Sequence, residues 1–221
     1  MTDFQTFLDQ LWIARYVILN GLGITVSISL LAILAGSALG VFVGLALVYG
    51  AAPLRFLVRA YTDIVRGTPV LVLVLASYYV SAAAGLDLGP FSAGVLALAI
   101  FCSSHIGEIV RGGLQTIPAG QTEAAKAIGL TFTQTFAYVL WPQALRQFLP
   151  AWVNTAAEMV KASTLLSVIG VAELLLRTQE IISRNFMSLQ FYFFAGLLYF
   201  VVNFSIERFG KYVERKTAVP T

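Results

Sequence analysis

Five stretches of this chain are apolar over lengths that approach a membrane crossing, and no other feature constrains its fold as much. A helix needs about 20 mostly apolar residues to cross ~30 Å of hydrocarbon. The stretches cover about 21–49, 69–86, 91–110, 149–176 and 189–209, the second with room for an earlier start near Leu57. Composition agrees: 58% of the residues are hydrophobic and 11% charged, whereas a soluble domain carries about a quarter charged residues. The chain has too little polar surface to coat a globule in water. The expected fold class is an all-α membrane protein with five transmembrane helices.

Orientation is read from lysine and arginine in the connections, which favour the cytoplasmic side. Arg55, Arg59 and Arg66 follow the first stretch, Arg111, Lys126 and Arg146 the third, and Arg208, Lys211, Arg215 and Lys216 the fifth. The opposite side holds Arg15, Arg177 and Arg184, so the balance is ten against three. This predicts an extracytoplasmic N-terminus (1–20), a transmembrane domain (21–209) and a cytoplasmic C-terminal tail (210–221). Asp3 and Asp9, with no basic residue before Arg15, argue against a cleavable signal, which opens with a basic region. A net charge of +3 without a basic, aromatic-interleaved stripe gives no footprint for nucleic acid. The single cysteine, Cys102, lies in an apolar run and offers neither a disulfide nor a thiolate metal site. Gly36, Gly40 and Gly44 share one helix face, either as a close-approach seam or as ordinary tolerance of glycine in membrane helices.

One connection is long, at about 112–148, and its sequence reads as structured. Pro118 suits the opening of a helix that continues through Thr122–Ile128, and Gly129 supplies its stop. Thr131 and Gln134 have capping-box spacing and open a second short helix that contains Phe132, Phe136, Tyr138, Val139 and Trp141 and is expected to end before Pro142. Its aromatic groups need a cover. Packing back on the bundle and docking into a partner's groove are equally consistent with the sequence.

Glu123-Ala124-Ala125, then Gly129, then Val139-Leu140-Trp141-Pro142 resembles the EAA motif of ATP-binding-cassette importer permeases. Trp141 stands where the motif usually has leucine. Arg66-Gly67-Thr68-Pro69, Glu108-Ile109-Val110-Arg111-Gly112-Gly113, Ile117-Pro118 and Pro142-Gln143-Ala144-Leu145-Arg146 are similar to the polar amino-acid uptake branch. The resemblance implies a five-span permease of the small importer type whose loop is a coupling helix seated on an ATPase. Glu123, Ala124, Ala125, Gly129, Phe132 and Pro142 would then belong to the coupling region. It also implies two ATPase copies that carry ATP-Mg, a second copy or a sister permease, an extracytoplasmic amino-acid-binding protein, surrounding lipid, and the bacterial inner membrane.

Ionisable groups inside a span cost at least ~2.5 kcal/mol each by insertion scales. Glu158 and Lys161 lie three apart in the fourth stretch, with Ser163 close by. They suit the two charges of a zwitterionic solute, or they neutralise each other and orient packing. Ser104, His105 and Glu108 at the end of the third stretch are further candidates for the solute path. In the resembled branch a tyrosine is common at His105, a glutamine at Leu73 and an aspartate at Ala162, so the departures fall where solute contacts are expected.

No phosphate-cradling GxxxxGK[ST] loop is present, nor HExxH, nor paired cysteines, so ATP hydrolysis is expected on a separate subunit, with no catalytic residue, metal or cofactor on this chain. A competing reading is an ion-coupled secondary carrier or channel using Glu108, Glu158 and Lys161 as relay groups. It leaves the structured loop without a role. Inverted repeats of the secondary-carrier kind are not visible, and five spans can hardly enclose a path alone, so a dimer is expected.

Overall fold

The computed structural model describes residues 3–217, and every regular element among them is helical. The outermost positions of the two expected terminal segments, 1–2 and 218–221, lie outside the described residues. Helix α1 (Asp3–Tyr49) runs unbroken for 47 residues, about 70 Å at 1.5 Å per residue, and starts well ahead of the apolar stretch. Its early turns have a reason to be helical. Phe7, Leu11, Ala14 and Ile18 recur at helical spacing and close a small second core with Leu174, Ile181 and Phe191.

The main core is built where α1 meets α4 (Pro90–Gln115). Gly36, Gly40 and Gly44 form the seam. An added Cβ would sit 2.5, 2.6 and 2.7 Å from the side chains of Cys102, Ile106 and Val110. Gly107 answers from α4, where a Cβ would meet Val43. The close-approach reading of the glycine face is therefore the one realised, and backbone contact replaces side-chain interdigitation along the seam.

Two crossings are broken. The second is α2 (Ala52–Gly67) followed by α3 (Val70–Ala83), bent by 109°. Pro69 forces the break, because its ring excludes the helical conformation at Thr68, which is extended at φ −99°, ψ 132°. The fourth was expected as one span over 149–176. Instead α7 (Trp141–Ala162) tightens into a 3-10 segment (Ser163–Ile169), and Gly170 ends it in the left-handed region at φ 83°. Helix α8 (Leu174–Asn185) restarts at 53° to it. Glu173 makes the restart possible. Fully buried, its carboxylate accepts the backbone N–H groups of Leu175 (3.0 Å) and Leu176 (2.9 Å) and the hydroxyl of Tyr199. It caps α8 and ties α8 to α9 (Ser188–Thr217). Among the described residues α1, α4 and α9 are long and apolar enough to cross alone, and there are up to five crossings when each bent pair counts as one span.

Candidate functional site

The connection between α4 and α7 contains α5 (Ala119–Ala127), preceded by Pro118, and α6 (Phe132–Thr135). Leu130 N–H reaches Ala125 C=O (3.1 Å) and Gly129 N–H reaches Lys126 C=O (3.0 Å), the paired bonds of a Schellman stop, with Gly129 left-handed at φ 82°. Thr131 and Gln134 make both bonds of the capping box. Glu123 and Ala124 are exposed, while Ala125 is buried under the turn.

The second short helix does not end before Pro142, as its sequence suggested. One π turn (Phe136–Leu140) follows α6, and the chain passes directly into α7. The wider turn lets the helix absorb a proline that has no N–H to give. Trp141 N–H bonds back to Phe136 C=O, and the Gln143 side chain donates to Val139 C=O at 2.7 Å. Pro142 itself is exposed on the surface of this rod. One helical body thus runs over Phe132–Ile169.

Some of the aromatic groups pack back on the bundle, the first of the two covers left open by the sequence. Phe136 packs edge-on against Tyr49 (6.1 Å) and onto Trp141 (5.7 Å), which meets Phe148 (5.7 Å). This ladder locks the loop to the end of α1 and into the core. Phe132 touches Tyr49 (5.3 Å) yet stays 64% exposed, beside Ile128 at 78% and Tyr138 at 75%. Three large apolar side chains at the tip are left for something else to cover.

Farther along the same rod, Asn154, Glu158 and Lys161 line one exposed face of α7. With Val70 at the start of α3 and Thr164 they border an open depression of about 520 Å³. Glu158 and Lys161 make no ion pair or side-chain hydrogen bond among the described residues, so they do not neutralise each other as a closed pair. Uncovered charges at membrane depth demand protein or water against them.

The other candidate residues lie elsewhere. Glu108 is held between two arginines, Arg59 of α2 at 2.9 Å and Arg111 at 2.6 Å. Arg59 was not foreseen, because the partner lies on another helix across a bend. Ser104 is fully buried with its hydroxyl donating to Phe101 C=O (2.8 Å), and Ser163 is fully buried and donates to Val160 C=O (2.7 Å). His105 is half-buried against the Phe101 ring, its Nδ1–H donating to Phe101 C=O at 3.0 Å. Ser104 and Ser163 are closed to a solute in this conformation, whereas Glu158 and Lys161 are open to one.

Residues 36–219 match the family model described as binding-protein-dependent transport system inner membrane component. The chain belongs to that family. This permease is 32% identical to the glutamine transport system permease protein GlnP of Escherichia coli over 96% of the chain and 97% of that protein. It is also 32% identical to the arginine transport system permease protein ArtQ of Bacillus subtilis, over 97% and 96%. Its fold superposes on a chain of a crystallised amino acid ABC transporter with a TM-score of 0.88 at 32% identity, covering 98% of this permease and 99% of that chain. The permease is a membrane transport component, and the secondary-carrier reading gives way to the importer one.

Proposed function

We propose that this permease translocates polar amino acids as the membrane subunit of an ATP-driven, binding-protein-dependent importer. The relatives named for glutamine and arginine transport support the solute class. The observation that carries the mechanism is the continuous body Phe132–Ile169, with an uncovered apolar tip at one end and an uncovered charged face farther along it. From Phe132 to Lys161 the rod rises about 44 Å at 1.5 Å per residue. A push on the tip therefore moves the charged face as one piece.

The tip, with Glu123, Ala124, Ala125 and the Gly129 bend beside it, seats on a separate ATPase that carries ATP-Mg. Two ATPase copies serve two permeases, identical or sister chains, whose Glu158 and Lys161 faces enclose the path. Glu158 meets the ammonium of the solute and Lys161 its carboxylate. The N-terminus lies outside and the C-terminus in the cytoplasm of a bacterial cell. The lever and the Arg59–Glu108–Arg111 cluster occupy the cytoplasmic side, and Arg177 and Arg184, beside the early turns of α1, occupy the outer side, where a loaded amino-acid-binding protein docks.

The test uses the purified permease–ATPase complex in proteoliposomes, with the cognate binding protein loaded outside. Lys161→Ala and Glu158→Gln are expected to assemble normally and to lower uptake about tenfold or more, the effect of losing one charge-assisted hydrogen bond. Unchanged uptake in both variants would remove the pair from the path.

A further inference from the structure

We infer that the permease carries a site for one aminophospholipid of the inner leaflet, with an acyl chain between α1, α7 and α9 and the headgroup against Glu207 and Lys211. An apolar groove of about 470 Å³ runs between these helices, walled by Leu30, Trp152, Val153, Ala156, Val160 and Val202. At 100° per residue, the centre of its α7 wall lies roughly 150° around the helix from the face formed by Asn154, Glu158 and Lys161. The groove is therefore turned away from the charged face and toward the bilayer, and only the polar pocket at its end reaches Asn154 on that face.

The groove adjoins, at Val153, a polar pocket of about 230 Å³ bordered by Pro150, Asn154, Glu207, Lys211 and Glu214. The two helices touch here, since a Cβ on Gly210 would meet the Val153 side chain at 2.5 Å, and the pocket is set into that seam. Pro150, inside α7, has no N–H to give to the Arg146 carbonyl one turn earlier. Glu207 and Lys211 are exposed, and neither side chain has an ion-pair or hydrogen-bond partner among the described residues.

A pocket that holds acidic and basic groups, one turn apart and beside hydrocarbon, complements a headgroup bearing both an ammonium and a phosphate. The phosphate meets Lys211, and the ammonium meets Glu207. A purely anionic headgroup would face the Glu207 carboxylate. A choline headgroup has no N–H to donate. Selectivity resides in the headgroup, because an acyl chain gains little by leaving lipid for an apolar groove.

The test is native mass spectrometry of the permease–ATPase complex taken from nanodiscs that hold equal phosphatidylethanolamine, phosphatidylcholine and phosphatidylglycerol. We expect phosphatidylethanolamine to be retained about three- to fivefold over the other two, the range of one or two partly exposed charge pairs. Glu207→Gln and Lys211→Gln, both at exposed positions, should each abolish the preference with the complex intact. Val202→Trp, which fills the groove, should reduce all lipid retained. Equal retention of the three lipids, or an undiminished preference in both charge variants, would overturn the proposal. So would disulfide crosslinks that place a second permease over the groove.

Discussion

Gly129 sets the left-handed bend beside the proposed lever. It sits at φ 82° with open space around its Cβ position, so within this chain a substitution acts through backbone conformation and not through a clash. An L-residue in that region costs about 1–2 kcal/mol, while asparagine visits it readily. Gly129→Val is expected to depress both uptake and binding-protein-stimulated ATP hydrolysis while the subunit still reaches the membrane. Gly129→Asn should restore most of both, as assayed in proteoliposomes. Glu173 matters at the same scale for stability. Its carboxylate is fully buried and satisfies Leu175 N–H, Leu176 N–H and the Tyr199 hydroxyl together. Glu173→Ala strands those donors at about 1–3 kcal/mol, to be seen as a lower midpoint of thermal unfolding in detergent. Glu173→Gln, which keeps one acceptor oxygen, should fall between the two.

Among the elements, the α1–α4 seam and the long rod carry the load. Gly40→Leu would force a side chain into Ile106 and the Ser103 carbonyl, at 2.6 and 3.0 Å from its Cβ. Overpacking of that kind costs about 1–3 kcal/mol, again read from thermal unfolding. Gly23→Leu, on the same helix with nothing within 4 Å, serves as the neutral control. The rod makes a sharper demand. Two glycines inserted after Leu149 would soften α7 between the aromatic ladder and the charged face. ATPase co-purification should persist, because the tip is untouched, while uptake falls. Retained uptake would mean that force reaches the spans by another route.

Across the whole molecule, what could be read from sequence follows from how local each signal is. The Gly129 stop and the Thr131–Gln134 box are settled within a few residues, and both formed as spaced. The five crossings were legible because hydropathy averages over the length of a span. That same averaging hides breaks. Thr68-Pro69 and Gly170 each stop a helix inside an apolar region without altering its mean composition. The early turns of α1 looked like a tail because their partners, Leu174, Ile181 and Phe191, lie far along the chain. At the candidate site, Glu158 and Lys161 stood out as charges in an apolar run. Arg59 as the partner of Glu108, and the burial of Ser104 and Ser163, depend on packing between elements. The continuity of lever and span was missed because Pro142 reads as a terminator unless a π turn precedes it.

On this reading the chain is a transmission without its own engine. Solute flux should be measured in vesicles that contain the purified permease alone, then with its ATPase, and then with ATP and loaded binding protein added. Flux above background is expected only when all are present. Concentrative solute flux through the permease alone would contradict it.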